Sequence, residues 1–218
     1  MKRRLFMRLD DRELETLRRT RDVVLGASSY RTAIMALCDS ALVERLCLVS
    51  LVETQLRRIS VNLHQIDRRV FSSGGENVVV LSVCDAIDPL VDIFSAEVTC
   101  LCSDGGNCCG VRRELSVRMS ADEKSVVVAV KRALKFRNFR SLVLGLCNVV
   151  GNRVMPPDFT NEYQSLKQYG NDINTVAKTL NIGKSIDMNQ LNLFLNRFMV
   201  VLSGIAVKIR EDGPCSRG

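Results

Sequence analysis

From Arg3 to Leu9 apolar and polar positions alternate strictly: Leu5, Met7 and Leu9 share one parity, Arg4, Phe6 and Arg8 the other. This is the period-two pattern of a strand with one buried face. It returns at Arg113–Met119, where Leu115, Val117 and Met119 alternate with Glu114, Ser116 and Arg118. One such strand cannot stand alone, whereas two that pair with each other can. Behind each strand the period changes to that of a helix. Asp10, Asp11 and Glu13 suit a helix N-terminus, Leu14, Leu17, Val24 and Leu25 carry the apolar stripe, and Gly26 is the stop. Ser28 or Ser29 caps a second helix with apolar Tyr30, Ala33, Ile34, Leu37, Cys38, Ala41 and Leu42. After the second strand the order recurs, with Val126, Val127, Val130 and Leu134 on one helix and Asn138 capping the next at Phe139. The capped segments Ser29–Cys38 and Asn138–Cys147 keep aromatic, Arg, hydroxyl and Cys in register, which points to an internal repeat.

Each unit continues into a longer helical segment. The first has a seam of Leu56, Ile59, Leu63, Ile66 and Val70 and ends at Ser72–Gly75; the second has Leu166, Tyr169, Ile173, Val176 and Leu180 and ends at Asn181–Gly183. A final apolar helix follows each, over about 77–100 with Pro89 as a kink or boundary, and over 188–209. The predicted organisation is a first repeat with its extension over 1–102, a Cys/Gly linker over 103–111, a second repeat with its extension over 112–210, and a flexible tail over 211–218.

Charge divides the chain in the same way. Residues 1–75 carry a net +5, residues 76–111 a net −6, and residues 112–218 a net +8, within a total of +7. Two basic blocks around an acidic one suit a duplicated polyanion-binding unit. The basic N-terminus leads into charged residues instead of an apolar signal core, and no charge-free run is long enough for a bilayer. With nine cysteines but no export signal, the expectation is a cytoplasmic protein with reduced thiols.

A strand with alternate polar side chains, followed by two helices with a polar cap on the second, resembles the ribbon-helix-helix family of DNA-binding proteins. The resemblance implies a mainly α fold with two short β-strands. Tandem ribbon-helix-helix repeats would form an intramolecular pseudo-dimer, each with a C-terminal helical extension. It implies that Arg4, Phe6 and Arg8 with Glu114, Ser116 and Arg118 face base edges in the major groove. The backbone N–H groups of Ser29, Tyr30 and Arg31, and of Asn138, Phe139 and Arg140, would then hold flanking phosphates. Phe6 offers a thymine methyl contact at most and Glu114 repels phosphate, so the two strands read unequally and the DNA site is asymmetric.

The segment from Leu56-Arg57-Arg58-Ile59 to Asn62-Leu63-His64-Gln65-Ile66-Asp67-Arg68-Arg69 further resembles MobC-type plasmid mobilisation proteins, with His64 where that pattern has Asn. That resemblance implies a relaxosome accessory protein that binds double-stranded DNA at an origin of transfer and helps a relaxase nick one strand. A transcriptional repressor or partition protein of the same fold is the first alternative.

Catalysis finds little support in the sequence. His64 is the only histidine and reads as structural, and Gly74-Gly75 and Gly105-Gly106 lack the strand, Lys and helix of a phosphate-gripping loop. No nucleotide or other organic cofactor is expected. Cys100, Cys102, Cys108 and Cys109 are four thiols that zinc can use, but the spacing is not C-x2-C and the vicinal pair makes tetrahedral closure awkward. Spare linker thiols or one bridge is the favoured reading. A helical interaction module with a metal-binding linker is the alternative of another class. Cys38 and Cys147 lie on matching apolar stripes and belong to the core.

Overall fold

The computed structural model describes residues 3–38, 41–72, 77–102, 112–151 and 156–212. Strand β1 (Arg3–Leu9) leads into helix α1 (Asp11–Arg19), a π-helical turn (Thr20–Val24), α2 (Tyr30–Cys38), α3 (Ala41–Ser72) and α4 (Val78–Cys102). Strand β2 (Arg113–Met119) leads into α5 (Ala121–Ala133), α6 (Phe139–Gly151), α7 (Thr160–Asn181) and α8 (Met188–Asp212). The expected tandem ribbon-helix-helix fold is corrected on this point. Among the described residues there are eight α-helices and one two-stranded sheet, far more helix than a small pair of ribbon-helix-helix modules contains.

The chain sorts into two compact units, each drawn from both halves: 1–47 with 97–156, and 48–96 with 157–218. Packing across the halves is the physical reason. In the first unit α6 packs on β1 and α1, while α2 packs on β2 and α5, so each half supplies the helix that covers the other half's strand. The helical extensions of the two halves meet in the second unit instead of folding back on their own strands.

The first unit is built around the ribbon. β1 and β2 pair antiparallel, Arg3 opposite Met119 through Leu9 opposite Arg113. Leu5, Met7, Leu9, Val117 and Met119 are buried from one face, and Leu17, Ile34, Leu37, Val127, Leu142, Val143 and Leu146 close over them. Both first helices start with a capping box. Asp10 accepts the Glu13 N–H at 2.9 Å and Glu13 accepts the Asp10 N–H at 2.9 Å, while Ser120 and Glu123 do the same at 3.2 and 2.7 Å. After α1 the π-helical turn shifts the apolar stripe, so Leu17 is buried while Val23 and Val24 are exposed. Gly26 then turns the chain at φ +57°, as expected of a stop, and the equivalent turn of the second half places Lys135 at φ +58°.

The second unit consists of the remainder of α3 and α4 with α7 and α8. On α3 Leu56, Ile59, Leu63, Ile66 and Val70 are buried, as the predicted seam requires. On α7 Leu166 and Ile173 are buried, Tyr169, Val176 and Leu180 are only half-buried, and Ala177 turns inward where Val176 was expected. Gly170 lets the helices approach closely: a Cβ there would lie 3.3 Å from the Ile59 side chain. Asn77 donates to Asn192 at 2.8 Å, and Phe94 stacks edge-on against Phe159 at 5.3 Å between centroids. Pro89 neither ends nor divides α4, which runs unbroken through it. By length and composition alone, residues 188–211 are long and apolar enough to cross a membrane. Leu191, Leu195, Phe198, Leu202 and Ile205 of that helix are buried within the unit.

Candidate nucleic-acid interface

The period-two pattern that buries Leu5, Met7 and Leu9 turns Arg4, Phe6 and Arg8 outward, and β2 turns out Glu114, Ser116 and Arg118. All six are exposed, on one face of one ribbon. Antiparallel register decides which of them are neighbours. Arg4 stands opposite Arg118, Phe6 opposite Ser116, and Arg8 opposite Glu114. One end of the face therefore pairs two cations, and the other pairs a cation with an anion. Like charges directly across a sheet destabilise it, so the Arg4–Arg118 end is electrostatically favourable for an anion that binds between them. Lys124 adds to that end by donating from Nζ to the Arg4 carbonyl at 3.1 Å.

The two expected phosphate caps lie at the N-termini of α2 and α6. Ser29 is the cap of α2, its Oγ accepting the Thr32 N–H at 3.1 Å, and Asn138 is the cap of α6, its Oδ1 accepting the Ser141 N–H at 2.8 Å. Tyr30 and Phe139 each sit under a cation: the Arg21 guanidinium is 4.4 Å from the Tyr30 ring centre, and Lys131 Nζ is 5.7 Å from that of Phe139.

Arg31 and Arg140 are engaged within the protein. Arg31 donates to Glu123 at 2.8 Å from Nη2 and at 3.0 Å from Nε, and Arg140 donates in the same two-pronged way to Glu13. Their guanidinium groups are therefore held by carboxylates. The hydrogen bonds from Arg31 and from the Ser120 backbone N–H hold the Glu123 carboxyl below its usual pKa. Sequence reasoning overlooked Glu13 and Glu123 as the groups that tie the halves together. The signal was present, since Asp10-x-x-Glu13 and Ser120-x-x-Glu123 both have capping-box spacing.

Elsewhere, His64 Nε2 lies 3.0 Å from Asp88 Oδ2, and the Ser60 hydroxyl donates to Asp88 Oδ1 at 2.7 Å. This joins α3 to α4 through a partner that the sequence pattern did not suggest. Of the zinc candidates, Cys100 and Cys102 fall in the last turn of α4, and Cys108 and Cys109 lie outside the described residues. Among the described residues no group of three or more His, Cys, Asp or Glu side chains can hold a metal ion. Comparison of the chain with protein-family models, curated proteins and solved structures finds no match.

Proposed function

We propose that this protein binds double-stranded DNA by laying the outer face of the β1–β2 ribbon in the major groove. The single observation that carries this reading is the exposed cross-strand pair Arg4–Arg118 on a two-stranded ribbon whose other face is buried. A major groove about 12 Å wide admits a two-stranded ribbon, and Arg is the commonest partner of guanine. The net +7 of the chain adds sequence-independent attraction to phosphate. In this reading Arg4, Arg8 and Arg118 read bases, Phe6 meets a thymine methyl, and Glu114 and Ser116 read less. The backbone at Ser29–Arg31 and Asn138–Arg140 positions flanking phosphates.

The role that best suits such a ribbon, given the MobC-like segment over 56–69, is that of a non-enzymatic cytoplasmic accessory protein. It would act at an origin of transfer, with a relaxase as partner. Sites selected from a random duplex library provide the test. Binding of a selected duplex should exceed that of random duplex by at least 100-fold. Arg4→Ala and Arg118→Ala should each reduce that preference by about 1–3 kcal/mol. Equal affinity for selected and random duplex would defeat the base-reading mechanism. Addition of the protein to a relaxase nicking reaction separates transfer from repression or partition, since only an accessory factor raises nicking.

A further inference from the structure

Beside the Arg8 end of the ribbon, β1, α5 and the entry to α6 enclose an open cleft of about 420 Å³. Arg8, Arg112, Lys131 and Arg137 line it, Phe6 and Phe139 form apolar wall, and no carboxylate contributes to the lining. Arg140 also reaches it, but with its guanidinium held by Glu13. The remaining four side chains are cations gathered around one concavity. Such a concavity has the chemistry of a phosphate site: cations on converging elements, with low-dielectric walls that focus the field.

At the related position at the other end of the ribbon Arg118 answers to Arg8, but two of the other cations differ. There Arg21, over Tyr30, corresponds to Lys131 over Phe139, but Asp22 grips Arg21 with a second hydrogen bond of 2.7 Å from Nη2. The bond from Arg21 holds the Asp22 carboxyl below its usual pKa, so the pair is neutral as a unit. Where the second half has Arg137 one residue before its cap, the first half has Ser28 one residue before Ser29.

We propose that the cleft lined by Arg8, Arg112, Lys131 and Arg137 is a phosphate-binding site, and that it makes the interface one-ended. The DNA backbone is then held more firmly beside the start of α6 than beside the start of α2, while Arg4 and Arg118 on the ribbon face meet bases, so the protein sits on a duplex with a defined polarity. The use of the cleft on DNA rests on the reading of the ribbon as a DNA-binding face; its affinity for phosphate does not.

Full-length wild type, the cleft variant Lys131→Gln/Arg137→Ala (the double variant) and the neutral-pair control Arg21→Gln with Asp22→Asn are titrated with inorganic pyrophosphate, followed by amide chemical shifts. The same proteins are titrated with a fluorescent 30-bp duplex of random sequence over a range of salt concentrations. Circular dichroism checks folding, and Arg137→Lys provides a variant that keeps the charge. Pyrophosphate should move amides around 137–140 in the wild type and in Arg137→Lys, but not in the double variant. Duplex affinity of the double variant should fall at least 10-fold, with the log–log salt slope shallower by about 2, while removal of the neutral pair by Arg21→Gln with Asp22→Asn leaves affinity within 2-fold. Pyrophosphate binding without duplex binding would leave the phosphate site standing and remove the DNA reading. Duplex binding with equal losses at both ends would overturn the polarity, and unchanged pyrophosphate shifts in the double variant would overturn the site.

Discussion

Arg31 on α2 and Glu123 on α5 form a two-pronged ion pair, and Arg140 on α6 and Glu13 on α1 form its counterpart with the roles of the halves exchanged. Each glutamate is also the returning arm of a capping box, so one carboxylate closes a helix start and joins the two halves of the chain. The pairs differ in burial. The Arg140 and Glu13 side chains are 14% and 11% exposed, whereas Arg31 is 55% exposed.

Glu13→Ala should therefore cost more than Glu123→Ala. The first leaves a largely buried guanidinium without its carboxylate and should lower stability by about 3 kcal/mol. The second leaves an exposed arginine that water can satisfy, so its effect should be the smaller one. Urea unfolding of the two variants, monitored by helical ellipticity, should place them in that order. The reverse order would show that the caps outweigh the ion pairs.

The Glu123 carboxyl has its folded pKa below the unfolded value, chiefly through the hydrogen bond from Arg31. A depressed carboxylate stabilises the fold at pH values above its unfolded pKa, and the stabilisation is lost as the pH falls through the folded value. Glu123→Gln should thus be less stable than wild type at pH 6, and the gap should narrow on acidification below pH 4. Thermal melts across that range provide the measurement, and a constant gap would contradict the assignment.

Gly26 adopts φ +57° with nothing within 4 Å of an added Cβ, so any cost of substitution there is conformational rather than steric crowding. Gly26→Ala should destabilise by about 1 kcal/mol. Lys135 takes the same backbone conformation in the second half at φ +58°, and Lys135→Gly should stabilise by a few tenths of a kcal/mol to about 1 kcal/mol. Denaturation midpoints moving in opposite directions would bear this out.

Burial pushes the Cys84 thiol up to about 12, helped by Asp88, Asp67 and Asp85, and burial pushes that of Cys147 up to about 11. With almost no thiolate at neutral pH, both should resist iodoacetamide at pH 7.5 in the folded protein and react once it is unfolded. Peptide mapping after labelling reads each site separately. Rapid native labelling of Cys147 would mean that the core around Ile34 and Leu142 is open.

Much of the local structure was legible because it depends on neighbours in the chain. The alternation at Arg3–Leu9 and Arg113–Met119 produced two strands of those bounds, Ser29 and Asn138 cap the helices that follow, and the apolar seam of α3 is buried, with Leu166 and Ile173 of the α7 seam. Each rests on side-chain period or on a polar group within three residues of a backbone N–H, and both are properties of the sequence itself. Pro89 shows where this reasoning stops. The residue disfavours a helix interior locally, yet α4 continues through it, with Ile87 and Leu90 buried on either side.

What only the tertiary structure decided is which half each element packs against. The repeat suggested an intramolecular pseudo-dimer in which each half keeps its own helical extension, but α6 covers β1, α2 covers β2, and the helical extensions of both halves build a unit of their own. Sequence similarity between two halves makes their contacts interchangeable, so an apolar stripe that fits its own strand also fits the copy's. Chain geometry and ion pairs such as Arg31–Glu123 then select between them. The same reason kept the basic cleft out of view. Arg8 lies more than 100 residues from Arg112, Lys131 and Arg137, and only the antiparallel pairing of β1 with β2 gathers the four around one concavity. The sequence by itself determined the strands, the caps and the seams; the fold determined which charges stand together.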